Sequence, residues 1–421
     1  MNSTKTRLVG ATVLAASTGW SPQKKTVVID GSRIVALEDP GSSNKDGART
    51  VDVGGLYVIP GLIDLHCHLT FRRTIGPIWQ MMAESETINA VRAARNAMTV
   101  LRQGITTIRE LGAPNNINTE IAKSIEKGLL PGPRILSAGS PLSVTGGHAK
   151  NIVTYADGAE EFRKASRAVV ATGAKWIKII GSNDPTHEPH EDGQWSFGEV
   201  DSDEVEAAVA VAHKWGARVA VHCMGSRQIE LVANAGVDTI EHGVYLSEAG
   251  ARAMVDKGVT LVPTISGYLE TIWPRWQRGD DWAARHKHLA DVHMEAVPIA
   301  RAAGVRIGVG TDSVGEIVHE LKLIHRCGLD LQACMNAVTK TNAEILGLED
   351  KIGDVDNGLQ ADLVVLRDNP LENLDALRSV EYVVQAGRVM RPLDIRMGSG
   401  DEAGDSEPWL AGKNEELKLS A

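Results

Sequence analysis

The spacing of apolar and polar residues divides the chain into three stretches. Through the first 60 residues short apolar runs alternate with polar ones, as in KTVVIDGSRIVALE, where the Asp30-Gly31 pair predicts a tight turn between two strands. The rhythm then changes. Strand-like segments alternate with helical ones: VIPGLIDLHCHL, GITTIREL, RILSAGSPLS, AKWIKIIGS, ARVAVHCMG, VDTIEHGVYL, VTLVPTIS and RIGVGTDS. Amphipathic stretches such as DEVEAAVAVAHKWG and RQIELVANAG separate most of them, each ending in a glycine that can stop a helix. Eight strands alternating with helices over roughly 250–290 residues is the arithmetic of a (β/α)8 TIM-type barrel. Beyond residue 350 the pattern turns to β again, in GLQADLVVLRDNP and VEYVVQAGRVM. The expected fold is α/β, with a barrel over residues 61–350. It interrupts a small β-sandwich domain formed from both chain ends, residues 1–60 and 351–397. Residues 398–421 are rich in glycine and acid and are expected to be a disordered tail.

Composition narrows the functional classes. The chain has 421 residues, 43% hydrophobic and 23% charged, enough to bury a large core. A net charge of −10 argues against nucleic acid or an anionic membrane as partner, since either favours a basic face. No apolar run approaches the roughly 20 residues that span a bilayer. The opening KTRLVGATVLAAST has basic residues before a short apolar stretch, but reads as a strand because it is brief and leads into more strand-like sequence. Cys67, Cys223, Cys327 and Cys334 are scattered without paired spacing, as free thiols of a reducing cytosol would be. A cytoplasmic homo-oligomer acting on a small molecule is expected.

The candidate chemistry lies at the strand ends, where barrels carry their active sites. In DLHCHL, His66 and His68 stand one residue apart, so on a strand they share a face. With them, Lys178 is expected to end the fourth strand, His222 the fifth, His242 the sixth and Asp312 the eighth. Imidazole and carboxylate are ligands for zinc and similar divalent ions. Four histidines and an aspartate exceed one tetrahedral catalytic site, so two divalent metal ions are expected. Lys178, in WIKII, would bury an unpaired ammonium at considerable cost. Reaction of its amine with carbon dioxide would make it an anionic carbamate able to bridge two cations. HEPHEDG at 187–193 reads as a solvated loop, and HRCG at 325–328 lacks the cysteine pairs of a structural zinc site. His286, His288 and His293 fall on a long polar helix and read as exposed.

PGLIDLHCHL, the strand-four lysine, VHCMG, IEHGVYL and GVGTDS together resemble the amidohydrolase superfamily, over about residues 5 to 392. KTNAEILGLEDKIGDVDNGLQADLVVL looks like that superfamily's return from barrel to β domain. Within it the chain is most similar to the prolidase-like and imidazolonepropionase-like branch of binuclear metal amidases. The resemblance implies that His66, His68 and Asp312 hold one metal and His222 and His242 the other, most simply zinc, bridged by N6-carboxylated Lys178. It also implies hydrolysis of a C–N amide bond in a dipeptide or N-acyl amino acid, ochratoxin-type amides included, by attack of a metal-bridging hydroxide. Asp312 would then move the proton, and His148, in VTGGHAKN, and Tyr245 would contact substrate or oxyanion. Deaminase relatives carry a glutamate soon after the strand-five histidine, whereas HCMGSRQ has none before Glu230. A carbamate, phenylurea or aryl-amide hydrolase is the alternative chemistry. A non-catalytic assembly protein on this fold is disfavoured because every ligand is retained.

Aromatics make up 4% of residues yet gather in the expected mouth loops. These are Phe71 and Trp79, Trp195 and Phe197, then Tyr268, Trp273, Trp276 and Trp282. Such rings can form small cores for long loops or a pocket for a bulky group. Trp273 and Trp276 are expected to enclose the substrate's large half, while Arg72, Arg73 and Arg275 could pair with a carboxylate.

Overall fold

The computed structural model describes residues 5–42, 47–72, 80–81, 83–183, 199–268 and 280–397, without the side chains of 268 and 280–287. The first strands are β1 (Thr6–Val13), β2 (Gln23–Asp30), β3 (Arg33–Glu38), β4 (Arg49–Asp52) and β5 (Tyr57–Pro60). β2 and β3 are antiparallel with Asp30 opposite Arg33, and Gly31 takes the positive φ, 57°, that the tight turn requires. The expected hairpin is there.

Parallel strands alternating with helices follow. β6 (Leu62–Cys67), β7 (Ile105–Glu110) and β8 (Arg134–Ser137) form one sheet. β9 (Leu142–Ser143), β10 (Thr154–Tyr155), β11 (Trp176–Ile180), β12 (Arg218–Cys223), β13 (Thr239–His242) and β14 (Thr260–Val262) belong to a second, ordered β10-β9-β11-β12-β13-β14. These strands read as near-continuous apolar runs because both faces are covered. The Ser202–Lys214 helix begins at a capping box between Asp201 and Glu204 and buries Val205, Ala207, Ala208 and Ala212 against the strands. Backbone hydrogen bonds link the two sheets, from Lys175 N to Ser137 O at 2.9 Å. On the other side the RIGVGTDS segment lies between β14 and β6. Leu261 N donates to Arg306 O at 2.9 Å, and Leu65 N to Val309 O at 2.9 Å. The arrangement is α/β and TIM-like.

The eighth segment departs from expectation, since it pairs through a single bridge, Ile307 with Leu261, rather than as a regular strand. Close approach explains this. A Cβ on Gly310 would stand 2.6 Å from His66 Cβ and 2.7 Å from His66 N, so only glycine lets the backbone pass there. The Asn342 amide replaces ladder contacts, donating to Ile63 O and Val309 O and accepting from Val309 N.

β15 (Leu363–Leu366), β16 (Val380–Gln385) and β17 (Arg388–Met390) return the chain to its start. β15 runs antiparallel to β5, giving an eight-stranded sheet ordered β17-β16-β15-β5-β1-β2-β3 with β4 on β1. Leu8, Val27, Ile29, Val58, Leu363, Val365 and Val384 form its core. Among the described residues no helix is long and apolar enough to cross a membrane.

Candidate metal centre

His66, His68, Lys178, His222, His242 and Asp312 are all buried. Ligand atoms of His66, His68 and Asp312 lie within 4.8 Å of one another. His66 Nε2 is 3.1 Å from Asp312 Oδ1, and His68 Nε2 is 3.5 Å from it. The other two histidines adjoin this group. The ring centroids of His222 and His242 are 4.6 Å apart, and those of His66 and His242 are 5.1 Å apart.

Local backbone geometry aims these side chains. The pairing of β6 with β7 slips in register between Asp64 and Cys67, the stretch that carries His66. Asp64 accepts from His66 N and from Thr311 Oγ1, which ties the β6 end to the segment carrying Asp312. His242 and Asp312 have φ of 71° and 55°. A non-glycine residue in that left-handed region costs about 1–3 kcal/mol and is found where surrounding contacts hold it, often at functional sites.

Hydrogen bonds at the far side of each ring fix the near side. His68 Nδ1 faces Gly112 O at 2.9 Å, an acceptor only, so Nδ1 carries the proton. His66 Nδ1 meets the Glu241 carboxylate at 2.8 Å. His242 Nδ1 meets Thr264 Oγ1 at 2.6 Å, and that hydroxyl gives its own proton to Pro263 O. In all three rings Nε2 is left with its lone pair toward the cluster, the arrangement metal-bound histidines adopt. Among the described residues His66 Nε2, His222 Nε2 and Lys178 Nζ are buried without a hydrogen-bond partner. Burial holds His66, His222 and His242 below the usual imidazole range, His222 and His242 well below it, so the rings are neutral, the form in which an imidazole can bind a cation. The donor set fits divalent cations.

Lys178 sits two residues before the end of β11, not at its end, opposite Ala220 of β12. Burial lowers its pKa to about 8 against the pull of Glu241 and Asp312, so its amine readily loses its proton.

Beneath the cluster lies a buried polar frame that the sequence reading missed. Arg109 donates to Glu241 Oε1 at 2.8 Å, to Thr239 Oγ1 at 2.8 Å and to Leu65 O, and its guanidinium lies 4.4 Å from the Trp176 ring centre. Burial alone would raise the Glu241 pKa, but Arg109 and His66 hold it down at about 2, so it is anionic. Glu110 accepts from Leu69 N, Gly112 N and Asn118, steadying the turn behind His68. The available signal was a charged residue inside an apolar strand, Arg109 in GITTIREL and Glu241 in VDTIEHG. A buried charge requires a partner.

Among the substrate-contact candidates, His148 stacks on His222 at 5.2 Å between ring centres, beside the cluster. Tyr245 is half-buried and packs with Met224, Val244 and Leu289. Arg72 lines a cavity of about 860 Å³ with Ser266, Thr311 and Ser313, the last two flanking Asp312. Phe71 is buried, stacks on His68 at 4.9 Å and packs with Met81, Ala149, Ile152 and Ile180. This aromatic therefore belongs to a small loop core. Arg73, Trp79, Trp195, Phe197, Trp273, Trp276, Arg275, the 187–193 stretch and the 398–421 tail lie outside the described residues, as do the side chains of Tyr268, Trp282 and His286. His288 is exposed as expected. His293 is not: it is buried, with Nε2 3.0 Å from His242 O. Its helix has a polar start but turns this position onto the strand ends.

A TIM-like α/β chain with neutral histidines and an aspartate converging at its strand ends defines the class of metal-dependent hydrolases. The chain belongs to the amidohydrolase family, whose profile matches residues 57–390. It is 27% identical over 370 residues to the ochratoxinase of Aspergillus niger, covering 79% of this chain and 75% of the relative. It is 25% identical to the imidazolonepropionase of Agrobacterium fabrum, over 93% and 94% of the two chains. Among solved structures, a prolidase complexed with N-methylphosphonate-L-proline superposes with a TM-score of 0.83 at 29% identity, covering 92% of this chain and 99% of that one.

Proposed function

We propose that the protein is a binuclear metal-dependent amidase that hydrolyses the C–N bond of an N-acyl amino acid or dipeptide with a bulky or aromatic half. The observation that carries this reading is that buried nitrogens of His66, Lys178 and His222 make no hydrogen bond and lie beside Asp312, with His68 and His242 adjoining. His66, His68 and Asp312 would hold one ion, His222 and His242 the other, and Lys178, carboxylated by carbon dioxide at Nζ, would bridge them. Zinc suits the nitrogen-rich donors. When bound, such ions supply Lewis acidity toward a carbonyl and toward water.

The chain's own residues do the rest. Asp312 accepts a proton from the attacking water at a carboxylate oxygen and passes it to the leaving nitrogen. His148 and Tyr245 contact the scissile carbonyl or its oxyanion. Arg72 and Arg73 orient an anionic half, while Trp273 and Trp276 enclose the large one. The ring of strands is read as a closed (β/α)8 barrel over 61–350, and the composite sheet as a separate β-sandwich domain. All four cysteines are buried and free, which suits a reducing cytoplasm, where we place the enzyme as a homo-oligomer. The relatives named ochratoxinase and prolidase support an amide with one amino-acid half.

The experiment is a hydrolysis screen of the zinc-loaded protein against a dipeptide, an N-acyl amino acid, a carbamate and an aryl amide. Cleavage of one of the first two fastest is expected. Exclusive cleavage of a carbamate or aryl amide would overturn the substrate assignment.

A further inference from the structure

We propose that His293 is a positioning residue for the metal centre, holding His242 in its ligating conformation through the His242 backbone carbonyl. The inference rests on the proposed binuclear reading and extends it to a helix that contributes no ligand. Three observations converge. First, His242 and Gly243 are two successive residues at positive φ, 71° and 62°, so the chain reverses sharply where the ligand sits. Second, Nδ1 of His242 is held by Thr264, itself at φ 53°, so this anchor of the ring is as unusual in backbone as the ring's own residue. Third, His293 lies wholly buried on the Asp280–Ala303 helix with Nε2 3.0 Å from His242 O. The Pro263 carbonyl also faces it. The helix therefore grips the β13 end, and the β14 end beside it, from outside the strand ring.

The physical case is one of accounting for polar groups. His242 O is the carbonyl at a reversed, buried turn, and such a group needs a donor. An imidazole buried to this degree needs an acceptor in turn. His293 and His242 O satisfy each other. Removing the donor leaves the carbonyl free to rotate with its peptide plane, and that plane sets where the His242 ring points. Outer contacts of this kind commonly shift metal affinity by about 10–100-fold.

The test uses the full-length, metal-stripped protein and Zn²⁺ in a chelator competition that reports stoichiometry and affinity, with thermal melting of the metal-free form beside it. Three variants separate the donor from the packing. His293→Gln can place an amide N–H where Nε2 was, His293→Asn reaches only as far as Nδ1, and His293→Leu fills volume without a donor. The expected result is about 10–100-fold weaker binding of one Zn²⁺ equivalent in H293N and H293L, with H293Q within about threefold of the unaltered protein. Both H293N and H293Q should stay folded without metal, H293N melting slightly lower because His242 O then lacks its donor. Equal Zn²⁺ affinity in H293N and H293Q would overturn the proposal, and if H293L fails to fold that pair alone decides. Two equivalents bound by the unaltered protein and by all three variants alike would defeat this inference and leave the binuclear reading intact. No Zn²⁺ bound by the unaltered protein would defeat both.

Discussion

The two sides of the histidine cluster are built differently. On the β6 side, His66 is backed by a carboxylate, Glu241, which is ion-paired to Arg109, and Asp312 stands within reach of both His66 and His68. On the β12–β13 side, His242 is backed by a neutral hydroxyl, Thr264, and His222 by the face of another imidazole, His148. The first side brings its own negative charge. The second offers neutral rings, whose basicity burial suppresses, and the nearest carboxylate acting on them is Asp312 from the first side. A carboxylated Lys178 would supply the negative charge the second side lacks.

Lys178→Ala should remove most activity and reduce bound metal toward one ion, the remaining ion on the His66 side. Small carboxylic acids should restore part of the rate by replacing the bridging oxygens. Full metal content and rate in the variant would sink the bridging role.

Asp312→Asn keeps an oxygen ligand but loses the basic carboxylate, so the rate should fall by about 10²-fold or more while metal loss stays limited. More than about a tenth of the original rate with both ions present would rule out proton transfer by Asp312.

Glu241→Gln should weaken one Zn²⁺ equivalent by about 10–100-fold. It should also destabilise the protein by about 3–5 kcal/mol, because Arg109 is left buried without its partner. The double variant with Arg109→Met should recover stability, read by denaturant unfolding, without recovering zinc affinity. Recovery of both would mean that Glu241 serves the fold alone.

Thr264→Val should cost least. Losing one neutral hydrogen bond, about 1 kcal/mol, lowers zinc affinity on the His242 side roughly fivefold. A loss as large as that in Glu241→Gln would erase the asymmetry.

Much of the buried polar cluster was legible because it places polar residues in apolar strands. His66 and His68 declare a shared face by their spacing, and Lys178 is conspicuous within WIKII. The alternation of strands and helices was legible because parallel strands buried on both faces are continuously apolar. The eighth strand was not, since its glycines serve the close pass of Gly310 over His66, a contact no local pattern encodes. Arg109 and Glu241 were passed over because a single charge in a strand looks like a solvated position until its partner, more than 130 residues away, is known to be adjacent. His293 was misread for a related reason. It follows a run of charged and polar residues, and only the tertiary placement of its helix turns that position inward.

The central claim is that six side chains hold two ions. The most direct measurement is anomalous scattering from crystals of the zinc-loaded protein, collected on both sides of the zinc edge. The account predicts two peaks, one among His66, His68 and Asp312 and one beside His222 and His242, with density extending from Lys178 Nζ to both. A single peak, or an uncarboxylated Lys178 pointing away from two occupied sites, would contradict it.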